Sequence, residues 1–85
     1  MAMYYVYFLK LNNEQVYTGY TMDLQRRLNE HKNGKVSSTS RRLPLRLIGY
    51  EAYAAKSDAQ RREKFLKTTA GKKLLRQQYR DVLDL

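Results

Sequence analysis

Cysteine and tryptophan are absent from the sequence, and proline occurs once. Without cysteine the chain can form neither a disulfide framework nor a thiolate zinc site, which excludes a disulfide-stapled secreted domain and a zinc finger. No run of eighteen apolar residues occurs, and the N-terminus lacks the charged head and apolar stretch of a signal peptide. We therefore expect a soluble, cytoplasmic protein with no membrane contact and no disulfide partner.

Negative charge is also scarce, because eight Asp and Glu residues stand against seventeen Lys and Arg residues, for a net charge of +9. Such an excess is typical of nucleic-acid-binding proteins, although a basic surface also serves solubility. Phosphate contacts do not read sequence, so low sequence specificity is expected. The basic residues expected to contact nucleic acid are Lys35, Arg41, Arg42, Arg46, Arg62 and Lys67.

At 85 residues, the chain has room for one small core, so we expect a single, monomeric domain spanning residues 1–85. The aromatic and β-branched segments 4–11, 15–20 and 45–53 are typical of strands. Helical periodicity is expected from residue 22 or 23 to 32, from 57 to 68 and from 72 to 82. The order β-β-α-β-α-α predicts an α+β fold in which about three helices flank a small three-stranded antiparallel sheet.

Residues 15–23 are expected to pass from the second strand into the first helix. Gly19 is expected at the turn between them, and either Thr21 or Asp23 can cap the helix. On the strands, Tyr7 and Tyr17 can share a sheet face only if the hairpin connection has an odd number of residues, about three or five. We predict such an odd connection.

The two later helices have different start signals. Ser57, with Gln60 three residues later, forms a capping-box pattern and is expected to begin the second helix. The polar residues and glycine within 68–71 interrupt the apolar periodicity, so the third helix is expected to begin only at Lys72. Between the first helix and the third strand, residues 34–42 are basic and rich in Ser and Thr, which predicts a loop.

The first helix carries two basic side chains on its apolar side. With about 100° of rotation per residue, Arg27 and His31 fall on the stripe defined by Leu24 and Leu28, whereas Arg26 faces the opposite way. A cation on a core-facing stripe requires an anionic partner such as a carboxylate or a phosphate. Alternatively, the stem of Arg27 lies along the stripe edge while its head remains in water.

These residues form a spaced pattern that resembles a known family. Tyr5-Val6-Tyr7, then Tyr17-Thr18-Gly19, then Thr21, Leu24, Arg27 and His31 resemble the GIY-YIG nuclease domain over roughly residues 4–67. The chain departs from the family name at three positions, with Tyr5 in place of Gly, Val6 in place of Ile and Thr18 in place of Ile. Both tyrosines and the second glycine remain. We identify the chain as a small, stand-alone, bacterial-type member.

The resemblance implies a set of functional residues. It assigns the base that deprotonates water to Tyr7, with Tyr17 beside it, and it assigns one divalent metal ion, Mg²⁺ or Mn²⁺, to a helix glutamate. Glu63 is the candidate ligand, and Glu51 and Glu30 are the competing carboxylates.

Two further roles follow from the chemistry of the side chains. Arg27 can direct two donors to one phosphate and stabilise its charge. A tyrosine with a pKa near 10 is ionised in only about one molecule in a thousand at pH 7, so His31 is retained as a helper or an alternative base.

The function expected from these features is metal-dependent hydrolysis of phosphodiester bonds in DNA, as an endonuclease or an exonuclease. The site would comprise Tyr7, Tyr17, Arg27, His31 and Glu63. The alternative is a catalytically weak or inactive module on the same fold that binds DNA or RNA. Each of these side chains taken alone is more often structural than catalytic, and only their joint spacing favours the enzyme.

Overall fold

A computed structural model describes residues 2–84 of the chain. The elements follow the predicted order: β1 (Tyr4–Lys10), β2 (Val16–Thr21), α1 (Leu24–Lys32), β3 (Arg46–Tyr53), α2 (Lys56–Leu66) and α3 (Thr69–Gln78). The α+β architecture with a three-stranded antiparallel sheet and three helices is confirmed. Within residues 2–84, no helix is long and apolar enough to cross a membrane.

The most apolar strand, β1, lies at the centre of the sheet, whose order is β2-β1-β3. Its residues Val6, Tyr7, Phe8 and Leu9 are all buried, because both faces of a central strand can be covered. Strand β3 pairs with β1 through a register shift between Phe8 and Leu9, which accounts for the broken alternation in that strand.

Alternation along β1 divides the core into two layers. Val6 and Phe8 pack on one face with Ala59 of α2 and with residues that include Leu75 of α3. Tyr7 and Leu9 point to the other face, where partly buried side chains of α1 and of the segment before β3 pack against them. Helices α1 and α2 therefore cover opposite faces of the sheet.

The predicted starts of the two later helices were wrong. Helix α2 begins at Lys56 after the N-cap residue Ala55, which makes no side-chain capping bond, and Ser57 lies within the first turn. The acidic Asp58 in that turn complements the positive end of the helix dipole.

Helix α3 begins at Thr69, because the Thr68 side chain accepts a hydrogen bond from the Gly71 amide at 3.1 Å and caps the helix. Gly71 does not interrupt the helix. A Cβ at this position would overlap the Phe65 carbonyl and the Leu66 backbone, so glycine permits the close approach of α3 to the end of α2.

Candidate functional site

Two tyrosines of neighbouring strands lie on the sheet face that α1 covers. The hairpin connection comprises residues 11–15, which is the predicted odd length. In the resulting register Tyr7 pairs with Gly19 and Leu9 pairs with Tyr17, so the two tyrosines are diagonal neighbours. Their ring centroids are 6.2 Å apart.

Gly19 lies inside β2, so the prediction of a turn at this position was wrong. A Cβ on Gly19 would overlap the ring and hydroxyl of Tyr7. The glycine is needed because the phenol lies directly across its backbone, and no conformational requirement of a turn is involved. The missing side chain therefore creates the space that the Tyr7 ring fills.

Helix α1 brings two basic side chains to the tyrosines. Asp23 is its N-cap, and the Asp23 carboxylate accepts a hydrogen bond from the Arg26 amide at 3.1 Å. Leu24 and Leu28 pack on the layer that contains Tyr7, as the predicted stripe requires. This packing turns the next residue of the stripe, His31, into the core.

His31 has no solvent-exposed surface and contacts both phenols. Its Nε2 atom lies 2.8 Å from the hydroxyl of Tyr7, and its ring centroid lies 5.2 Å from that of Tyr17. On its other side, Nδ1 lies 2.7 Å from the hydroxyl of Thr39, which is also fully buried. The imidazole therefore links the tyrosines to the loop that follows α1.

Arg27 occupies the edge of the same cluster. Its side chain is 38% exposed, compared with 76% for Arg26, so the predicted difference between the two arginines is present. The guanidinium donates to Glu30 at 3.1 Å and lies close enough to Tyr7 to lower the pKa of that phenol. Arg27 therefore combines a partly exposed head with a position beside the buried phenol.

Burial dominates the electrostatics of the cluster. Loss of solvent raises the pKa of Tyr7 to about 12, and the opposing effect of Arg27 is smaller. Burial, followed by repulsion from Arg27, lowers the pKa of His31. At neutral pH the phenol is thus protonated and the imidazole neutral, which places a proton donor against a proton acceptor at 2.8 Å.

Glu63 lies on α2, the helix that packs on the other face of the sheet. Its carboxylate is 22% exposed and forms an ion pair with Lys67 at 2.9 Å. Within residues 2–84, Glu63 forms no hydrogen bond with any side chain of the Tyr7 cluster. The structure therefore brings Tyr7, Tyr17, Arg27 and His31 together, and the participation of Glu63 in the same site stays a prediction.

The two competing carboxylates are engaged in other contacts. Glu51 accepts two hydrogen bonds from Arg62, at 3.1 and 3.2 Å, and one from the hydroxyl of Tyr53 at 2.6 Å. Glu30 pairs with Arg26 and Arg27 on its own helix. Among the ion pairs formed within residues 2–84, Glu63 has only a flexible lysine, Lys67, as its partner.

The acidic residues set limits on how a metal ion could bind. No group of three or more His, Cys, Asp or Glu side chains within residues 2–84 is arranged to hold an ion. A cage of several carboxylates is therefore not available in this part of the chain. The donor set fits an ion that is held by one carboxylate and that retains water and substrate oxygens, as magnesium commonly does.

A basic groove of about 340 Å³ runs along the outer edge of β2. Its lining includes Tyr17 and Thr18 from the strand, and Lys67, Lys72 and Arg76 from the end of α2 and from α3. Since Lys67 is also the ionic partner of Glu63, the groove extends from the strand of Tyr17 to the neighbourhood of that carboxylate.

The other predicted nucleic-acid contacts differ in availability. Lys35, Arg41 and Arg46 are exposed, and Arg42 is exposed while donating to Gln15 at 2.6 Å. Arg62 is 28% exposed and uses two guanidinium nitrogens on Glu51. A phosphate contact by Arg62 stays a prediction, and it would require this ion pair to open.

Two contacts of the site were not predicted from the sequence, namely that of Thr39 with His31 and that of Gly19 with Tyr7. Thr39 lies in the Ser- and Thr-rich loop, where no periodicity separates it from its neighbours. Gly19 was predicted to be a turn residue. Because it lies two residues after Tyr17, it could have been predicted to lie in the strand, on the same sheet face as Tyr17. The contact of Thr39 with His31 depends on the path of the loop, which local sequence does not encode.

Comparisons with known proteins match most of the chain. The family model described as "GIY-YIG catalytic domain" matches residues 3–79. The chain is 44% identical to a UPF0213 protein from Streptococcus agalactiae over 64 residues, which cover 74% of this chain and 73% of the relative. It is 35% identical to a UPF0213 protein from Staphylococcus saprophyticus over 77 residues, which cover 89% and 94%.

A solved structure is also similar. The solution NMR structure of a UPF0213 protein from Bacillus halodurans superposes with a TM-score of 0.56 at 37% sequence identity. The match covers 86% of this chain and 81% of that protein.

Proposed function

The chain belongs to the GIY-YIG domain family, and from this premise we propose that it is a metal-dependent nuclease that hydrolyses phosphodiester bonds in DNA with low sequence specificity. Nucleases of this family generally depend on a metal ion. The observation that carries the proposal is the contact of Tyr7, Tyr17 and His31 on one face of the sheet, with Arg27 at its edge.

Arg27 is the group suited to stabilising charge on the phosphate. A guanidinium presents several donors in a plane and stays charged at all working pH values, so it can form two hydrogen bonds with a non-bridging oxygen. Its partner Glu30 is 33% exposed and lies on the same helix, so this surface ion pair can exchange for a phosphate at little cost. Arg26 is 76% exposed and faces solvent, so it lacks this position.

Tyr7 and His31 form a pair that can remove a proton from water. The raised pKa of Tyr7 leaves only about one phenol in 10⁵ ionised at pH 7, so a free phenolate is too rare to act as the resting base. The neutral imidazole in contact with the hydroxyl can accept the phenol proton while the phenol accepts a proton from water. Tyr17 packs against both rings and helps to fix their orientation.

Glu63 is the residue that would hold one Mg²⁺ or Mn²⁺ ion. Its single carboxylate fits an ion whose other ligands are water and substrate oxygens. When bound, such an ion supplies positive charge to the phosphate and to the leaving oxygen. Release of Glu63 from Lys67 would free the carboxylate, and Lys67 could then bind a phosphate in the basic groove.

A panel of labelled DNA substrates tests the proposal. The intact protein is incubated with single-stranded, duplex, branched and nicked DNA in the presence of Mg²⁺, Mn²⁺ or EDTA, and cleavage products are resolved by length. We expect metal-dependent cleavage that Glu63→Gln reduces by about 10²-fold or more. The matched control is Asp58→Asn, which changes an exposed carboxylate of the same helix and should change the rate by less than about twofold.

Cleavage that persists in EDTA, or that survives Glu63→Gln unchanged, would refute the metal-dependent mechanism. A preparation that cleaves no substrate with either metal would refute the nuclease function.

The second candidate function is a nucleic-acid-binding module without catalysis. It is favoured by the ion pair with Lys67 that occupies the Glu63 carboxylate. Fluorescence anisotropy with labelled DNA and RNA separates the two functions. Tight, salt-dependent binding without cleavage would favour the module, and a preference for RNA in competition would redirect the search for its partner.

The same binding assay tests the basic groove. Lys72→Ala combined with Arg76→Ala should weaken binding of DNA several-fold and reduce the salt dependence. Lys73→Ala is the control on the same helix, because Lys73 does not line this groove. Equal losses in both variants would indicate a nonspecific effect of net charge.

A further inference from the structure

His31 is the only histidine in the sequence, and side chains satisfy both of its ring nitrogens. Nε2 lies 2.8 Å from the Tyr7 hydroxyl and Nδ1 lies 2.7 Å from the Thr39 hydroxyl. The imidazole and the threonine are both fully buried, so solvent does not reach either of these two side chains. The two neighbours therefore determine which nitrogen of the neutral ring carries the hydrogen.

The contact with Thr39 favours a hydrogen on Nδ1. A threonine hydroxyl has one hydrogen and can also accept hydrogen bonds, whereas a backbone carbonyl can only accept. The Thr39 hydroxyl lies 3.5 Å from the carbonyl oxygen of Val36, to which it donates. With its hydrogen directed there, the hydroxyl oxygen is free to accept a hydrogen bond from Nδ1–H of His31.

The contact with Tyr7 favours the same arrangement. The phenol is protonated at neutral pH and must donate its hydrogen, and the neighbouring Arg27 guanidinium has donors only. An unprotonated Nε2 accepts this hydrogen at 2.8 Å. The opposite tautomer would turn the Tyr7 hydrogen towards Tyr17 and would require Thr39 to abandon the Val36 carbonyl.

We propose that Thr39 is a positioning residue that holds neutral His31 as the Nδ1–H tautomer and thereby keeps Nε2 as the acceptor for the Tyr7 proton. The use of this arrangement in catalysis rests on the function proposed above. The tautomer itself is a property of the free protein and can be measured without substrate.

The proton transfers balance as follows. An O–H bond of the attacking water breaks and its proton passes to the oxygen of Tyr7, while the original Tyr7 proton passes to Nε2 of His31. The water oxygen forms a bond to phosphorus, and the leaving oxygen departs with the electron pair of the P–O bond and takes a proton from solvent. His31 becomes an imidazolium whose Nδ1–H remains hydrogen-bonded to Thr39.

Nitrogen-15 NMR of the intact protein tests the assignment directly, because a single histidine gives one pair of imidazole signals. Two-bond correlations to the ring hydrogens identify which nitrogen is protonated. We expect the Nδ1–H form in the wild type and in Thr39→Ser, which retains the hydroxyl. Thr39→Val, which replaces the hydroxyl with a methyl group, should shift the population towards Nε2–H.

The kinetic consequence is measured on the same proteins. Thr39→Val should lower kcat by between about tenfold and 10³-fold with little change in KM, and Thr39→Ser should restore the rate to within about threefold of the wild type. Ser40→Ala is the matched control, since this neighbouring hydroxyl donates to the Ser37 carbonyl at 3.3 Å and does not bond to His31.

Several outcomes separate the possibilities. An Nε2–H signal in the wild type would overturn the proposal even if Thr39→Val fails to fold. An unchanged tautomer in folded Thr39→Val would overturn the role of Thr39. The expected tautomers combined with a wild type that cleaves nothing would support the positioning role and refute the nuclease function.

Discussion

The Tyr7 ring lies across the backbone of Gly19, its direct partner in the β1–β2 pair, in the space that any side chain at that position would fill. We expect Gly19→Ala to push the phenol away from His31 and to lower the free energy of unfolding by about 1–3 kcal/mol, as overpacking of a core does. Chemical denaturation measures this loss.

A Tyr7→Ala background provides the control for this prediction. Removing the ring opens the space, so the added methyl group of Gly19→Ala should cost less there than in the wild type, which gives a favourable coupling in a double-mutant cycle. Equal costs in both backgrounds would show that the contact with Tyr7 is not the reason for the glycine.

Two adjacent arginines of α1 should differ sharply in their effect on DNA cleavage. Arg27→Ala should reduce kcat by about 10²- to 10³-fold, because it removes the donor placed beside Tyr7. Arg26→Ala removes the same charge from an exposed position and should change kcat by less than about twofold. Similar losses in both variants would mean that Arg27 acts through general charge alone.

The stability of the protein should depend on pH through His31. Burial, and then Arg27, lowers the pKa of the folded imidazole below the unfolded value of about 6.5. The unfolded chain therefore binds a proton more readily, so the contribution of His31 is complete above about pH 6.5 and is lost as the pH falls through this value towards the folded pKa.

The variant His31→Gln isolates this effect, since the sequence has no other histidine. Between about pH 7 and pH 5.5, urea denaturation should show a smaller decline in stability for the variant than for the wild type. Parallel declines would assign the pH dependence to other groups.

The ion pair between Glu51 of β3 and Arg62 of α2 should contribute to stability. Arg62→Ala leaves the carboxylate, which is 21% exposed, with the Tyr53 hydroxyl as its remaining donor within residues 2–84. We expect a loss of about 1–3 kcal/mol in thermal or chemical unfolding.

Arg61→Ala is the matched control for Arg62→Ala, because Arg61 is 72% exposed and pairs with an exposed aspartate on its own helix. Its removal should cost less than about 0.5 kcal/mol. Comparable losses for both arginines would contradict a specific role for the contact with Glu51.

The periodicity of apolar residues in the sequence predicted which side chains share a sheet face or a helix face. The odd length of the hairpin connection placed Tyr7 and Tyr17 on one face of the sheet. The apolar stripe of Leu24 and Leu28 directed His31 into the core. Both results follow from the fixed geometry of strands and helices, which a local pattern encodes.

The features that could not be predicted depend mostly on contacts between segments that are distant in the sequence. Thr39 could not be identified, because its partner is set by the path of a loop rather than by its neighbours in sequence. The start of α2 was misplaced because its N-cap residue, Ala55, forms no side-chain capping bond and therefore leaves no signal in the sequence. The start of α3 was misplaced because Thr68, which was expected to interrupt the helical pattern, is the residue that caps this helix. The strength of burial at Tyr7 was also inaccessible, since it depends on how closely Gly19 and α1 approach.

Because α1 and α2 lie on opposite faces of β1, each helix can change in evolution without disturbing the packing of the other. Substitutions that accumulate in α2 can alter the surroundings of Glu63, while Tyr7 and Tyr17 keep their packing beneath α1. The exposed side of one helix can in this way vary over generations while the opposite layer and the sheet stay intact.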